Sequence, residues 1–219
     1  MRLMIPCTNS RLISISVLAG LLLVPAAGLW AERTRVLLSD NWQIKQLSEA
    51  QPDVRKLTRE AASANGDWLT ARKMPAQIHD ILLDHGMISD PRIGKNAADC
   101  TWVGEKDWAY ACTFPSPSHG AGPVFLCFDG LDTLATVYVN GQSIGTFDNM
   151  YRSYSVDIRD KLSRTDQPNV LVIVFSSVQR ILDQLDVPER FQGVNKFHFL
   201  RTCHSDFGSY LGARPHSIK

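Results

Sequence analysis

Pairs of acidic residues close together in the sequence are the first candidates for chemistry, because many hydrolases use two carboxyl groups as general acid and base. Asp129 and Asp132 are such a pair, and Glu105 and Asp107 are another. Aspartates are also typical of turns, where the side chain accepts hydrogen bonds from nearby backbone amides. We therefore predict that Asp129 and Asp132 brace a turn between strands, and that Glu105 and Asp107 form a solvated strand edge.

Two histidines are candidates for proton transfer or ligand binding. His79 lies on a predicted short helix whose apolar face is Ile78 and Leu82, which indicates a surface or interface position. His204 is followed by Asp206, and the two side chains can share a hydrogen bond. Because loops carry function more often than cores do, we keep His204 as a candidate ligand contact.

The charges of the chain nearly balance, with 23 Lys and Arg against 22 Asp and Glu and a formal net charge of +1. This balance excludes a strongly basic surface and predicts no nucleic-acid partner. A hydrophobic fraction of 44% is typical of a folded domain and excludes wholesale disorder. The 219 residues cannot hold a small domain together with a (β/α)₈ barrel, since the barrel alone takes about 250 residues.

The first 31 residues have the order of a secretory signal peptide, with a basic start, an apolar centre and small residues at the end. Arg2 and Arg11 precede an uncharged stretch from Leu12 to Ala31, and cleavage is predicted after Gly28 or Ala31. The alternative is an uncleaved membrane anchor, because a helix of about 20 apolar residues spans a bilayer. Both alternatives place the rest of the chain on the non-cytoplasmic side. Cleavage predicts a protein that is secreted or lies in the lumen of the secretory pathway, with no membrane partner.

Five cysteines fit an oxidising compartment, and one of them, Cys7, leaves with the leader. The other four allow three pairings, and Cys100 and Cys112, which flank a predicted strand, are the favoured disulfide. Buried free thiols are the alternative. No Cys-x-x-Cys occurs, and the adjacent pair Cys203-His204 has poor spacing for two ligands, so we predict neither a metal site nor a cofactor.

After the leader, strand patterns dominate. The dipeptide Asn140-Gly141 suits a type I′ hairpin turn, and Val170 to Phe175 is apolar on both faces, as in a central strand between two layers. The predicted strands are 108–114, 124–128, 133–139, 142–146, 154–158 and 170–175. Trp108 and Tyr110 are predicted to lie in the core.

Helical signals are sparse. One short helix is predicted between Pro75 and Gly86. Residues 45–66 are predicted to be a surface excursion with one or two helical turns, and 178–195 to be polar with brief helical character. The predicted fold is an all-β antiparallel jelly-roll sandwich with one short helix over residues 32–219, truncated at its C-terminal end where a strand begins.

Several phrases, in order along residues 38 to about 214, resemble the amino-terminal domain of β-mannosidases and related enzymes of glycoside hydrolase family 2. The phrases are Met74-Pro75-Ala76-Gln77-Ile78-His79, Gly86-Met87-Ile88-Ser89-Asp90-Pro91, Trp102-Val103-Gly104-Glu105-Lys106-Asp107-Trp108-Ala109-Tyr110, Phe128-Asp129-Gly130-Leu131-Asp132-Thr133, Val139-Asn140-Gly141 and Asp148-Asn149-Met150-Tyr151. The resemblance implies a galactose-binding-like, sugar-binding jelly roll, in agreement with the strand pattern.

The resemblance also implies that the catalytic residues lie in a different domain. Enzymes of this family are retaining glycosidases with two carboxylic acids about 5 Å apart, and both acids lie on a (β/α)₈ barrel that follows the sandwich domains. No residue of this chain matches those motifs, so the chain by itself is predicted to be non-catalytic. The implied partners are a terminal glycoside and a catalytic barrel domain that the chain does not contain.

One loop of the family's jelly roll, usually Phe-Gly-Trp-Asp-Trp-Gly-Pro-Arg, leans into the sugar pocket of the barrel. The matching stretch here is residues 207–214, in which the Trp-Asp-Trp core is replaced by Ser-Tyr-Leu. By resemblance, Ser209, Tyr210 and Arg214, with His204 nearby, form the wall of the substrate pocket. Without the aspartate, Tyr210 offers a ring for stacking and one hydroxyl, which is a different recognition surface.

Two other functions are compatible with the same residues. A free-standing lectin-like module would bind a glycan through Tyr210 and Arg214, and an inactive gene fragment would have no activity.

Overall fold

A computed structural model describes residues 2–7, 32–48, 51–64, 66–117, 122–184 and 217–218. These residues form twelve strands: β1 (Arg2–Cys7), β2 (Glu32–Leu37), β3 (Gln43–Leu47), β4 (Leu69–Thr70), β5 (Asp107–Phe114), β6 (Phe125–Phe128), β7 (Leu131–Asp132), β8 (Ala135–Val139), β9 (Gln142–Phe147), β10 (Tyr154–Asp157), β11 (Asn169–Phe175) and β12 (Ser217–Ile218). They also form five α-helices and one 3₁₀ turn: α1 (Val54–Ser63), α2 (Ile78–Asp84), α3 (Asn96–Asp99), α4 (Trp102–Glu105), α5 (Val178–Gln184) and the turn Arg159–Lys161.

The strands form two main sheets, in which all pairings between described strands are antiparallel. A six-stranded sheet has the order β4-β3-β5-β11-β8-β9, and a four-stranded sheet has the order β10-β6-β1-β2. A short third sheet pairs β12 with β7. The predicted antiparallel sandwich is confirmed, but the prediction of a single short helix is wrong, since the described residues contain five.

Strand β11 is one of the two central strands of the large sheet, and all seven of its residues are buried. It pairs with β5 on one side and β8 on the other, so that Val172 lies between Ala111 and Tyr138. The prediction of a central strand between two layers is confirmed.

Alternate residues of β11 pack into two separate cores, because successive side chains of a strand point to opposite faces. Towards the four-stranded sheet, they form the main core with side chains of β5 and β6; these residues are Leu171, Ile173, Phe175, Tyr110, Cys112, Leu126 and Phe128. On the opposite face they form a smaller core with α1; these residues are Val170, Val172, Val174, Ala109, Ala111, Leu57 and Ala61. The predicted core positions of Trp108 and Tyr110 are confirmed.

Helix α1 covers the outer face of the large sheet. Asp53 caps its first turn by accepting hydrogen bonds from the backbone N–H of Arg55 (3.0 Å) and of Lys56 (3.1 Å). The prediction of a surface excursion over 45–66 is therefore wrong, since these residues include the end of β3 and a ten-residue helix. The sequence signal is weak because Leu57 and Ala61 are the only buried residues of the helix and form a narrow apolar stripe.

The hairpin between β8 and β9 turns at Asn140 and Gly141, with φ angles of 51° and 76°. The predicted type I′ dipeptide is therefore in the required left-handed conformation. The Asn140 side-chain amide donates to the Lys161 carbonyl and to Asn169 Oδ1, both at 2.8 Å, and its Oδ1 accepts from the Val170 backbone N–H at 2.9 Å. The turn thus ties the hairpin to the start of β11.

The helix predicted after Pro75 is also confirmed. Helix α2 begins at Ile78, and Gly86 beyond its end has a φ of 67°, which favours glycine. Within the described part of the chain, every helix is too short or too polar to cross a bilayer.

The burial of β11 predicts which substitutions destabilise the sandwich. Ile173→Ala removes a fully buried side chain from the main core and should lower the free energy of unfolding by about 3 kcal/mol. Ser143→Ala on the exposed face of the edge strand β9 is the control and should change it by less than about 0.5 kcal/mol. Urea unfolding followed by circular dichroism measures both, and equal losses for the two variants would contradict this assignment of the core.

Candidate functional site

The four predicted pocket-wall residues, His204, Ser209, Tyr210 and Arg214, lie outside the described residues. The described elements that flank them in sequence are α5 on one side and β12 on the other. The contacts of these two elements show where the segment 185–216 leaves the sandwich and where it returns. We call these two sets of contacts the anchor.

The first half of the anchor holds the start of α5. Ser177 precedes the helix, and its hydroxyl accepts a hydrogen bond from the Arg180 backbone N–H at 3.1 Å, as an N-cap residue does. The same hydroxyl donates to the Gly104 carbonyl at 2.8 Å, and the Ser177 backbone N–H donates to Asp107 Oδ1 at 2.6 Å. Helix α5 is thus joined to the start of β5 and to α4.

Asp107 is the centre of this half of the anchor. Its side chain is nearly inaccessible to solvent, at 2%, and its Oδ2 accepts from Arg180 Nη2 at 2.9 Å. The Arg180 side chain is 36% exposed, so the ion pair lies at the boundary between core and solvent. A carboxylate in this position also faces the N-terminal end of α5, where the helix dipole favours negative charge.

The prediction that Asp107 forms a solvated strand edge is wrong. Strand β5 lies inside the large sheet, where Asp107 pairs with Leu47 of β3. The sequence signal that identifies the site is Ser177, a capping residue directly before a short periodic apolar run, but that signal does not identify the acidic partner 70 residues away. Glu105, two residues before Asp107, is exposed as expected, but it is the last residue of α4 and not part of a strand.

The second half of the anchor is the pairing of β12 with β7. Ser217 lies opposite Asp132, and Ile218 lies opposite Leu131. Asp132 is buried and accepts a hydrogen bond from the hydroxyl of Thr133.

The two halves of the anchor lie at the same end of the sandwich. The Ser176 backbone N–H, at the end of β11, donates to the Leu134 carbonyl at 2.9 Å, two residues after β7. The start of α5 and the paired strands β7 and β12 are therefore close to the same end of β11.

His79 is not at the surface, so the sequence prediction for it is wrong. It is 7% exposed, because α2 buries Ile81 as well as the predicted Ile78 and Leu82. Burial lowers the pKa of the imidazole below its usual value, and an interaction with the Cys100 backbone and the charge of Asp80 offset part of that effect.

The disulfide predicted between Cys100 and Cys112 is not formed, since both are free thiols in the structure. The Cys112 side chain belongs to the main core between the sheets, whereas the Cys100 thiol lies 3.9 Å from the Ser89 carbonyl oxygen. Burial raises the pKa of both thiols and keeps them protonated. Within the described ranges, no group of three or more His, Cys, Asp or Glu residues is placed to hold a metal ion.

Residues 42–214 match the protein family described as "Glycosyl hydrolase 2 galactose-binding domain-like". Similar curated proteins include "Beta-mannosidase B" of Emericella nidulans, which is 37% identical over 130 residues that cover 59% of this chain and 14% of that protein. "Beta-mannosidase B" of Thermothelomyces thermophilus is 37% identical over 149 residues, covering 67% of this chain and 15% of that protein. This chain thus spans about one seventh of the length of these relatives.

Solved structures with the same fold include a β-D-mannosidase from Dictyoglomus thermophilum, with a TM-score of 0.56 and 24% identity over 81% of this chain and 21% of that one. An exo-chitosanase from Amycolatopsis orientalis has a TM-score of 0.50 and 18% identity, covering 60% of this chain and 15% of that one. At these identities the likeness shows the fold alone.

The contacts of Asp107 predict that removal of its carboxylate destabilises the protein strongly. Asp107→Ala leaves the Ser177 backbone N–H and the Arg180 guanidinium without their acceptor, and should lower the free energy of unfolding by about 3 kcal/mol. Asp107→Asn keeps an acceptor for Ser177 but loses the charge, so its effect should be intermediate. Hydrogen exchange should show faster exchange in α5 than in α1.

The matched control for this carboxylate is Glu105→Ala, which removes an exposed acid of the same segment and should change stability by less than about 0.5 kcal/mol. If Glu105→Ala and Asp107→Ala had equal effects, the anchor would not depend on the buried acid.

The burial of His79 predicts a dependence of stability on pH. Below the ordinary histidine pKa of about 6.5, the unfolded chain binds a proton that the folded protein excludes, so stability should fall as the pH falls. In urea unfolding, the free energy of unfolding should therefore decrease as the pH is lowered through the ordinary histidine pKa of about 6.5, and His79 should account for part of this decrease. His79→Gln should remove this component. His85→Gln, which changes an exposed histidine, should keep it.

Proposed function

The chain belongs to the glycosyl hydrolase 2 galactose-binding domain-like family, and on this premise we propose that it is the amino-terminal, non-catalytic sandwich domain of a β-mannosidase-type glycosidase. Its function in such an enzyme is to pack against a catalytic barrel and to supply one wall of the sugar pocket. The substrate class is a terminal β-glycoside.

The proposal rests on the contacts of the buried carboxylates, which form hydrogen bonds with other groups of the same chain. In the described part of the chain, the buried carboxylates are Asp107 and Asp132. The Asp107 carboxylate accepts hydrogen bonds from the Ser177 backbone N–H and the Arg180 side chain, and the Asp132 carboxylate accepts one from the Thr133 hydroxyl. A retaining glycosidase needs one acid as nucleophile and another as proton donor on either side of the scissile bond. Carboxylates that bind the protein's own backbone and side chains support a structural role instead.

The anchor supports the second part of the proposal. It fixes the start of α5 and strand β12 to the sandwich, and the sequence between these two elements carries the candidate wall residues His204, Ser209, Tyr210 and Arg214. We propose that the Tyr210 ring stacks on a sugar face and that Arg214 donates hydrogen bonds to sugar hydroxyls. A scaffold that ties down both ends of a loop reduces the conformational entropy that the loop loses when it binds a ligand.

The proposal predicts that the purified chain does not cleave a glycoside. With p-nitrophenyl β-D-mannopyranoside, release of nitrophenol should not exceed the buffer rate. Turnover at an enzyme-like rate that is lost in Asp132→Asn would overturn the proposal. The transcript downstream of the Lys219 codon should encode βα repeats of a barrel, which distinguishes an enzyme domain from an inactive gene fragment.

A domain that supplies only one wall of the pocket should also bind a sugar weakly. Titration of the chain with methyl β-D-mannopyranoside, followed by NMR shifts, should not saturate below about 1 mM. Saturable micromolar binding that Tyr210→Ala abolishes, while Tyr210→Phe retains it, would instead identify a free-standing lectin-like module. In that case the aromatic ring alone would supply the stacking.

A further inference from the structure

The turn between β8 and β9 contains a dipeptide that can undergo a covalent reaction within the chain. In an Asn-Gly pair, the glycine backbone nitrogen can attack the asparagine side-chain carbonyl carbon, because glycine has no Cβ to obstruct the approach. A C–N bond forms, and the side-chain amide leaves as ammonia with the proton of the glycine nitrogen. Water then opens the resulting succinimide ring to aspartate or isoaspartate. Asn140 and Gly141 are such a pair, at the two left-handed positions of the turn.

In the folded protein, hydrogen bonds hold the Asn140 side chain away from this reaction. Its Nδ2 donates to the Lys161 carbonyl and to Asn169 Oδ1, both at 2.8 Å, and its Oδ1 accepts from the Val170 backbone N–H at 2.9 Å. The Asn140 backbone N–H also donates to the Val170 carbonyl at 2.8 Å. The amide cannot turn towards the Gly141 nitrogen without breaking the side-chain bonds. Reaction therefore requires that the hairpin first separates from the start of β11.

The product of the reaction does not fit the contacts of the asparagine. An aspartate at this position has two acceptor oxygens and no donor at neutral pH. One oxygen can still accept from the Val170 N–H, but the other would face the Lys161 carbonyl and Asn169 Oδ1, which both need a donor. Isoaspartate adds a carbon atom to the backbone of a two-residue turn, which changes the geometry that pairs β8 with β9.

Asn169 cannot compensate by rotating its own amide. Its Oδ1 also accepts from the Ser163 backbone N–H at 2.6 Å, and its Nδ2 donates to Ser116 Oγ at 2.9 Å. Rotation would exchange donor and acceptor, and would leave the Ser163 N–H opposite another donor. Because Asn169 is fully buried, solvent cannot hydrate a polar group that loses its partner there.

We propose that Asn140 is a deamidation site that the native fold protects, with water as the second reactant, and that its conversion prevents the hairpin from pairing with β11 again. Each opening of the hairpin exposes a residue that can react, and the product cannot return to the native contacts. The reaction thus converts a reversible local opening into a permanent loss of β8 and β9 from the large sheet.

The rate of conversion tests the protection. The purified full chain is incubated at mildly alkaline pH in native buffer and in denaturing urea, and peptide mass spectrometry follows the change from amide to acid at position 140. A synthetic peptide of residues 138–143 gives the rate without any fold. The urea sample should convert at the rate of the peptide, whereas the native sample should convert more slowly by roughly tenfold or more.

Two variants test whether the hydrogen bonds cause the protection. Asn169→Ala removes one acceptor of the Asn140 amide and should raise the native rate roughly fivefold, while the rate in urea stays unchanged. The matched control Ser143→Ala changes an exposed residue of the same hairpin and should alter neither rate.

Refolding tests the effect of the product. Chains that have partly converted in urea are returned to native buffer and treated with a protease. Resistant molecules should contain unconverted Asn140, and converted molecules should be digested. Asn140→Asp should reproduce this refolding defect. Asn149→Asp is the matched control, because the Asn149 side-chain oxygen accepts from the Tyr151 backbone N–H at 2.9 Å and a carboxylate can do the same.

Three results would overturn the proposal. The first is an equal rate of conversion in native buffer and in urea, and the second is an equal share of converted molecules in the resistant and digested fractions. The third is a refolding yield of Asn140→Asp that equals the yield of Asn149→Asp.

Discussion

The burial of β11 on both faces is the constraint on which the rest of this structure depends. A strand with no polar residue between Val170 and Phe175 must be covered by one layer on each side, and the antiparallel pairs with β5 and β8 satisfy its backbone. The four-stranded sheet supplies one cover, and α1 supplies the other. An all-β sandwich therefore carries a helix on its outer face, and the large sheet is the middle of three layers.

The sequence predicted the elements with strong periodicity or turn chemistry. The apolar run of β11, the Asn140-Gly141 hairpin and the helix before Gly86 all carry local signals that tertiary contacts did not override. The sequence did not predict α1, because only Leu57 and Ala61 of its ten residues are buried. A two-residue stripe is too short for a reliable period, although Asp53 was a valid capping signal.

The candidate site was harder to predict than the fold, for a physical reason. Asp107 and His79 were both interpreted from their immediate neighbours, yet their burial is set by segments far away in the chain. Asp107 is enclosed by Ser177 and Arg180, which approach it only because β5 and β11 pair along their whole length. His79 is buried because the whole inner face of α2 packs against the sandwich. Local polarity predicts exposure only where no distant partner supplies a hydrogen bond or an apolar cover.

Buried polar side chains form hydrogen bonds at both ends of β11. Together these bonds explain why an apolar strand keeps one register. At its start, the buried Asn169 accepts from the Ser163 backbone N–H at 2.6 Å and donates to Ser116 Oγ at 2.9 Å, next to the Asn140 contacts. At its end, Ser177 makes the contacts with Asp107 and Gly104. A slip of one residue would exchange the two apolar faces and would also leave both groups of buried polar atoms without partners. Because the penalty acts at both ends, the strand can be apolar throughout and still hold the start of α5 at one defined place on the sandwich.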